Sequence, residues 1–110
     1  MVRHPQNWPG VSELVNLSQL DSMGGGTFND GREVHFYSWG WRVVQCQVYR
    51  SASRQGLWLF NVSVDGSRLW HGEEWSREAA LARVADILTH LDEQQPDAFR
   101  GAEPECVSNL

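Results

Sequence analysis

The sequence predicts an α+β fold, in which an antiparallel meander of three to four strands packs on one C-terminal amphipathic helix. A short N-terminal helix is expected as an additional element. Two observations carry this prediction. Segments that alternate between apolar and polar residues, separated by turn residues, occupy positions 33–71, and a helical repeat of apolar residues follows them. Strands followed by one helix pack that helix on one face of their sheet. With 110 residues, the chain has the size of one domain.

The N-terminal region predicts little sheet structure. Residues 1–10 contain two prolines and predict a loose arm. Residues 11–21 predict a short helix whose inward face includes Val11 and Leu14. The three glycines at 24–26 are expected to end any regular structure, because glycine weakens strands and helices alike.

The central region predicts the sheet. Turn residues at 29–31 lead into it, and Asp65-Gly66 is a two-residue hairpin signal between strand-like segments. The predicted strands run over Glu33–Trp39, Trp41–Arg50, Leu57–Val64 and Ser67–His71.

The C-terminal helix is the element with the most local signals. Ser76 is a natural N-cap, and Trp75 before it is expected to pack against Ala80 in the first turn. One apolar stripe then repeats at helical spacing, through Leu81, Val84, Leu88 and Leu91, with Ala85 and Ile87 beside it. Pro96 is expected to follow the helix end. The predicted organisation is a loose arm at 1–10, one domain at 11–95 and a flexible tail at 96–110.

The two faces of the predicted sheet differ in chemistry. Side chains alternate along a strand, so each strand has one apolar face, assigned to the core under the helix, and one mixed face. The mixed face is predicted to bind a protein partner or a second copy of the chain, since aromatic residues are enriched in interface cores. An alternative is that the N-terminal arm covers it with Trp8 and Leu14. The candidate binding residues are Tyr37, Trp39, Trp41, Gln45, Gln47 and Tyr49.

Charge and cysteine usage narrow the classes of partner. The chain has 14 acidic residues and nine arginines without lysine, and ten of those acids lie in residues 61–110. This balance argues against binding through phosphate contacts, whether to nucleic acid or to an anionic membrane. No run of 18 apolar residues or secretory-type start is present, and Cys46 and Cys106 are 60 positions apart. A cytoplasmic protein without a cofactor is expected.

Candidate chemistry is sparse. His71 beside Glu73 and Glu74 has the residue types for acid–base catalysis, which makes a small enzyme an alternative to the binding module. The same cluster is more typical of an exposed turn whose acids favour the start of the next helix. None of the four histidines and two cysteines has a zinc-ligand spacing, so no metal site is predicted, and Cys46 is expected to be a buried, inert thiol.

The predicted order of helix, three strands and helix resembles that of the double-stranded-RNA-binding domain. The resemblance covers about residues 11–95 and concerns element order alone. It implies RNA binding through a basic cluster at the start of the last helix, where this chain has Ser76-Arg77-Glu78-Ala79, with one base and one acid. A related alternative is single-stranded nucleic-acid binding, with Trp39, Trp41 and Tyr49 as stacking platforms.

Overall fold

The fold is one antiparallel sheet with a helix on one of its faces. The computed structural model describes Trp8 and residues 10–100. Each strand pairs with the next along the chain, so the sheet order is the chain order. The α+β meander followed by a helix is confirmed, with five strands rather than three or four. The elements are β1 (Leu20–Thr27), β2 (Glu33–Trp39), β3 (Arg42–Arg50), β4 (Trp58–Val64), β5 (Ser67–Glu74) and α1 (Arg77–Asp92).

Strand β1 is the element that the sequence did not predict. Its glycines 24–26 pair with residues 34–36 of β2, so they lie inside the strand rather than ending it. A shift in register between Ser22 and Gly24 leaves Met23 as a bulge. Pairing along β2 supplies the hydrogen bonds that compensate for the low strand preference of glycine.

The predicted N-terminal helix does not form. Residues 10–14 make a hydrogen-bonded turn, with the carbonyl oxygen of Val11 accepting from the amides of Leu14 and Val15. Val11 is buried as predicted, whereas Leu14 is 56% exposed. Without this helix, the order that resembles the double-stranded-RNA-binding domain does not occur in the part of the chain that the structure describes.

The segment that leads into β1 is fixed to the end of the helix. The carboxylate of Asp92 accepts hydrogen bonds from the backbone amides of Ser18 at 2.8 Å, Gln19 at 2.5 Å and Leu20 at 3.1 Å. Burial raises the pKa of Asp92, but these hydrogen bonds outweigh it and hold the pKa below its ordinary value. A tertiary contact between distant parts of the chain therefore replaces the predicted helix as the anchor of this segment.

The predicted hairpin at Asp65-Gly66 is confirmed. Both residues have positive φ angles, 52° and 87°, which a two-residue turn between twisted strands requires. The Asp65 carboxylate also accepts hydrogen bonds from the Val43 amide at 3.0 Å and the Arg42 guanidinium at 2.9 Å. The turn is thereby tied to the neighbouring strand.

Helix α1 begins as predicted. The Ser76 hydroxyl accepts a hydrogen bond from the Ala79 amide at 3.0 Å, and Arg77 forms a two-pronged ion pair with Glu33 at the start of β2. Trp75 does not pack on the first turn as expected, since it is 67% exposed. The predicted stripe is buried against the sheet, and the buried residues of α1 are Ala80, Leu81, Val84, Ala85, Ile87, Leu88 and Leu91.

The core lies between α1 and the sheet, and both ends of the described chain contribute to it. Trp8, placed by the sequence in a loose arm, is 4% exposed and stacks on His35. Phe99, placed in the tail, packs edge-on against Trp39 with ring centroids 5.2 Å apart. Among residues 10–100, no helix is long and apolar enough to cross a membrane.

Candidate binding site on the open sheet face

The register between β2 and β3 decides which aromatic residues face the core. His35 pairs with Cys46 and Tyr37 pairs with Val44, so all four side chains lie on the helix side of the sheet. Tyr37 and Trp39 are 0% exposed. Their predicted place on the binding face is therefore wrong, because strand β2 presents the opposite face from the one assumed.

The other face of the sheet, here called the open face, carries the remaining side chains of the strands. Along each strand, the residues of this face alternate with those that face the core. No helix or strand within residues 10–100 packs on it. Gln45, Gln47 and Tyr49 lie there as predicted. Trp8 and Leu14 do not cover it, since Trp8 belongs to the core and Leu14 is exposed. Val34, Asn61 and Ser63 are buried on this face, at 1%, 6% and 8% exposure. The side chains of the open face are those of Val34, Phe36, Ser38, Val43, Gln45, Gln47, Tyr49, Leu59, Asn61, Ser63, Arg68, His71 and Glu73.

The centre of the open face is uncharged. One row across the strands runs from Val34 through Gln47 and Asn61, and a second row places Gln45 beside Phe36 and Ser63. Val43, nearer the end of β3, is 42% exposed. Charged side chains lie at the margin on β5, and at the opposite margin the Arg32 guanidinium donates to the side-chain carbonyl oxygen of Gln47 at 3.4 Å. The face thus combines apolar and amide groups in its middle.

A groove of about 320 Å³ crosses the β5 side of the open face. Asn61 lies in it and is 6% exposed, yet its side-chain amide has no hydrogen-bond partner among the described residues. An amide carries donors and an acceptor, so this side chain can form hydrogen bonds with a group that enters the groove. The side chains that line the groove are those of Tyr49, Leu59, Asn61, Arg68, His71 and Glu73.

The predicted catalytic cluster is divided by strand alternation. His71 and Glu73 both line the groove, in register with Asn61 and Leu59. Glu74 lies on the helix side, where its carboxylate pairs with the Arg83 guanidinium. The three residues therefore do not converge, and the groove brings together only the first two.

Trp41 is exposed, but it lies at the end of the sheet rather than in the middle of the open face. Its side chain is 66% exposed, its indole N–H donates to Asp97 at 2.9 Å, and the Arg42 guanidinium stacks over its ring at 4.2 Å. Of the three aromatic residues expected to form a stacking platform, Trp39 is in the core and Trp41 is held against the C-terminal segment. Only Tyr49 lies on the open face.

Cys46 lies on the core side of β3 as a free thiol, and burial raises its pKa far above the ordinary value. It is therefore protonated and unreactive, as the sequence indicated. Cys106 and His4 lie outside the described residues. Within the described part of the chain, no three histidine, cysteine or acidic residues lie close enough to hold a metal ion.

The residues predicted to bind a partner did not include Phe36, Asn61 or Arg68. Phe36 was missed because Tyr37 and Trp39 were assigned to the mixed face of β2, whereas the alternate residues of that strand lie there. Asn61 was visible on the mixed face of β4, but its lack of a partner is a property of the packed structure.

Comparisons with protein families, curated proteins and solved structures give no significant match. Function is therefore inferred from the site itself.

Proposed function

We propose that the protein is a non-enzymatic binding module that holds a protein partner on the open face. The observation that carries this proposal is a face of the five-stranded sheet on which no helix or strand within residues 10–100 packs, and which carries the 42% exposed Val43 beside the amides of Gln45 and Gln47. Sheets ordinarily bury one face and expose polar or charged residues on the other. Exposed apolar surface rimmed by polar residues is typical of protein interaction sites.

The chemistry of the open face supports a protein as the partner. Phe36, Val43 and Tyr49 offer apolar contact area, and Gln45 and Gln47 offer both hydrogen-bond donors and acceptors. Interface cores are depleted of charged residues, as the centre of this face is. Since amides can pair with amides, a second copy of the chain is one candidate partner, joined about a two-fold axis.

The two other function classes have less support. Phosphate contacts need a surplus of bases, whereas the chain carries a net charge of −5 and Arg77 at the helix start is engaged by Glu33. An enzyme centred on His71, Glu73 and Glu74 loses one carboxylate to the opposite face. We also propose the cytoplasm as the compartment, which the buried free thiol of Cys46 supports.

A random peptide library displayed on phage tests the binding function. Peptides enriched on the wild-type protein are expected to lose at least about tenfold in affinity for Gln45→Arg, because the substitution places a charge in the interface core. Asp86→Arg, on the exposed side of α1, is the matched control and should retain them. Failure to enrich any peptide, or equal losses in both variants, would contradict the proposal.

Light scattering tests the second copy as the partner. A dimer through the open face is expected to give twice the mass of the chain, and Gln45→Arg should return it to a monomer while Asp86→Arg does not. A wild-type monomer at high concentration excludes a second copy and leaves a different protein as the partner.

A further inference from the structure

The groove on the β5 side of the open face is lined by an amide side chain that has no hydrogen-bond partner among the residues that the structure describes. Asn61 is only 6% exposed. Its amide lines the groove and has no hydrogen-bond partner among residues 10–100. The group that pairs best with a carboxamide has one donor and one acceptor side by side. A peptide main chain provides that pair at every residue.

Two side chains of opposite charge stand on either side of Asn61. Glu73 is in register with Leu59, and Arg68 is in register with Ser63, so the two charges lie two positions before and two positions after Asn61 on β4. Neither forms an ion pair within the described residues. Four strand positions correspond to about 13 Å between their backbones.

The apolar wall of the groove lies at its acidic end. Tyr49 and Leu59 are paired across β3 and β4, in the same row as Glu73. A ligand whose cationic group meets Glu73 therefore places its adjacent side chain against these two residues. An extended tripeptide is about 10 Å long, and the flexible Arg68 side chain can bridge the remaining distance to its carboxylate.

We propose that this groove binds a short linear peptide with free ends, of three to four residues. Its ammonium group meets Glu73, an apolar first side chain contacts Tyr49 and Leu59, a main-chain amide pairs with Asn61, and its terminal carboxylate meets Arg68. This inference rests on the proposed binding function and specifies the ligand of one part of the open face.

Titration calorimetry with Leu-Ala-Ala tests the assignment through its two ends. The free peptide is compared with its N-acetylated form and with its C-terminal amide. Each blocked form is expected to bind at least about tenfold more weakly, since charge-assisted hydrogen bonds are the stronger ones. Glu73→Gln should weaken the free peptide but change little for the acetylated one, and Arg68→Gln should act in the same way at the carboxylate end.

Asn61→Leu separates binding from stability. Because the Asn61 amide has no partner among the described residues, an apolar residue of similar size is expected to leave the urea midpoint unchanged or higher, while peptide binding falls at least about tenfold. Asn61→Ser, which is smaller, provides the same comparison if leucine alters the fold. Asp86→Asn on α1 is the control that should change neither property.

The outcomes distinguish this inference from the proposed function. If displayed peptides bind the open face but Leu-Ala-Ala does not bind, or binds equally with its ends blocked, the ligand assignment is wrong and the binding module stands. Indifference of the free peptide to Glu73→Gln and Arg68→Gln would also overturn the assignment. If neither library peptides nor Leu-Ala-Ala bind, both proposals fail.

Discussion

His35 shows how one buried residue makes the fold depend on pH. The side chain is 5% exposed, stacks on Trp8 with ring centroids 5.9 Å apart, and shares a 2.7 Å hydrogen bond with the Ser22 hydroxyl. Burial lowers the pKa of His35 from its ordinary value of 6.5, because the charged imidazolium loses its hydration there. The folded protein therefore favours the neutral ring.

We predict that the protein loses stability as the pH falls from 7 to 5. Below pH 6.5 the unfolded chain binds a proton at His35 that the folded protein resists, so the contribution of His35 is present above that pH and declines through the lower, folded-state pKa. Urea midpoints measured across this range should decline less steeply in His35→Gln than in the wild-type protein. His90→Gln, an exposed substitution on α1, controls for the loss of an imidazole. Parallel curves for His35→Gln and wild type would refute the assignment.

At the scale of the element, strand β1 depends on a glycine at one position. A Cβ atom on Gly25 would lie 2.1 Å from the carbonyl oxygen of Val34 and 2.8 Å from the Cα of His35, both of which are backbone atoms of β2. The two strands can approach this closely only without a side chain there. Gly26, the next residue, has no atom within 4 Å of such a Cβ.

The neighbouring glycines therefore form a matched pair of substitutions. Gly25→Ala is expected to lower the free energy of unfolding by about 1–3 kcal/mol, because the strands must separate to admit the methyl group. Gly26→Ala should be neutral or raise it by up to about 1 kcal/mol, since alanine loses less conformational entropy on folding. Urea unfolding of both variants measures the difference, and equal effects would show that β1 does not pair with β2 in this register.

The elements differ in how far the sequence predicts them. Helix α1 carries its own signals, since the Ser76 cap and the apolar stripe are local. Strand β1 carries none, because its glycines become a strand only through contact with β2. The faces of β2 were assigned wrongly for a related reason, since a shift of one residue moves every side chain to the opposite face. Strand β3, with its clear alternation, placed Gln45 and Gln47 correctly.

The candidate site was predictable where it depends on alternation along one strand, and not where it depends on tertiary packing. Alternation identified the amides of β3 as outward-facing, and Tyr49 with them. Whether that face is open, and whether Asn61 has a partner, depends on how distant segments pack. Trp8, which could have covered the face, lies in the core on the helix side of the sheet. A property that arises from the packing of distant segments cannot be read from the periodicity of one strand.

At the scale of the whole molecule, both ends of the described chain close the core. The Trp8 carbonyl oxygen accepts hydrogen bonds from the amides of Val11 and Ser12, each at 3.0 Å, while its ring lies in the core. At the other end, the Arg42 guanidinium donates to the carbonyl oxygens of Pro96 and Phe99, each at 3.0 Å. These contacts make the terminal segments part of the cooperative unit.

Two tryptophan truncations test this closure. Trp8→Ala is expected to lower the free energy of unfolding by about 3–5 kcal/mol, because it removes a buried aromatic side chain and leaves a cavity beside His35. Trp75→Ala, at a position 67% exposed, is the matched control and should change it by about 0.5 kcal/mol or less. Urea unfolding followed by far-ultraviolet circular dichroism measures both without relying on tryptophan fluorescence. If both variants lose similar, small amounts of unfolding free energy, Trp8 lies outside the cooperative fold. A large loss confined to Trp8→Ala would show that the segment around Trp8 folds together with the sheet and α1.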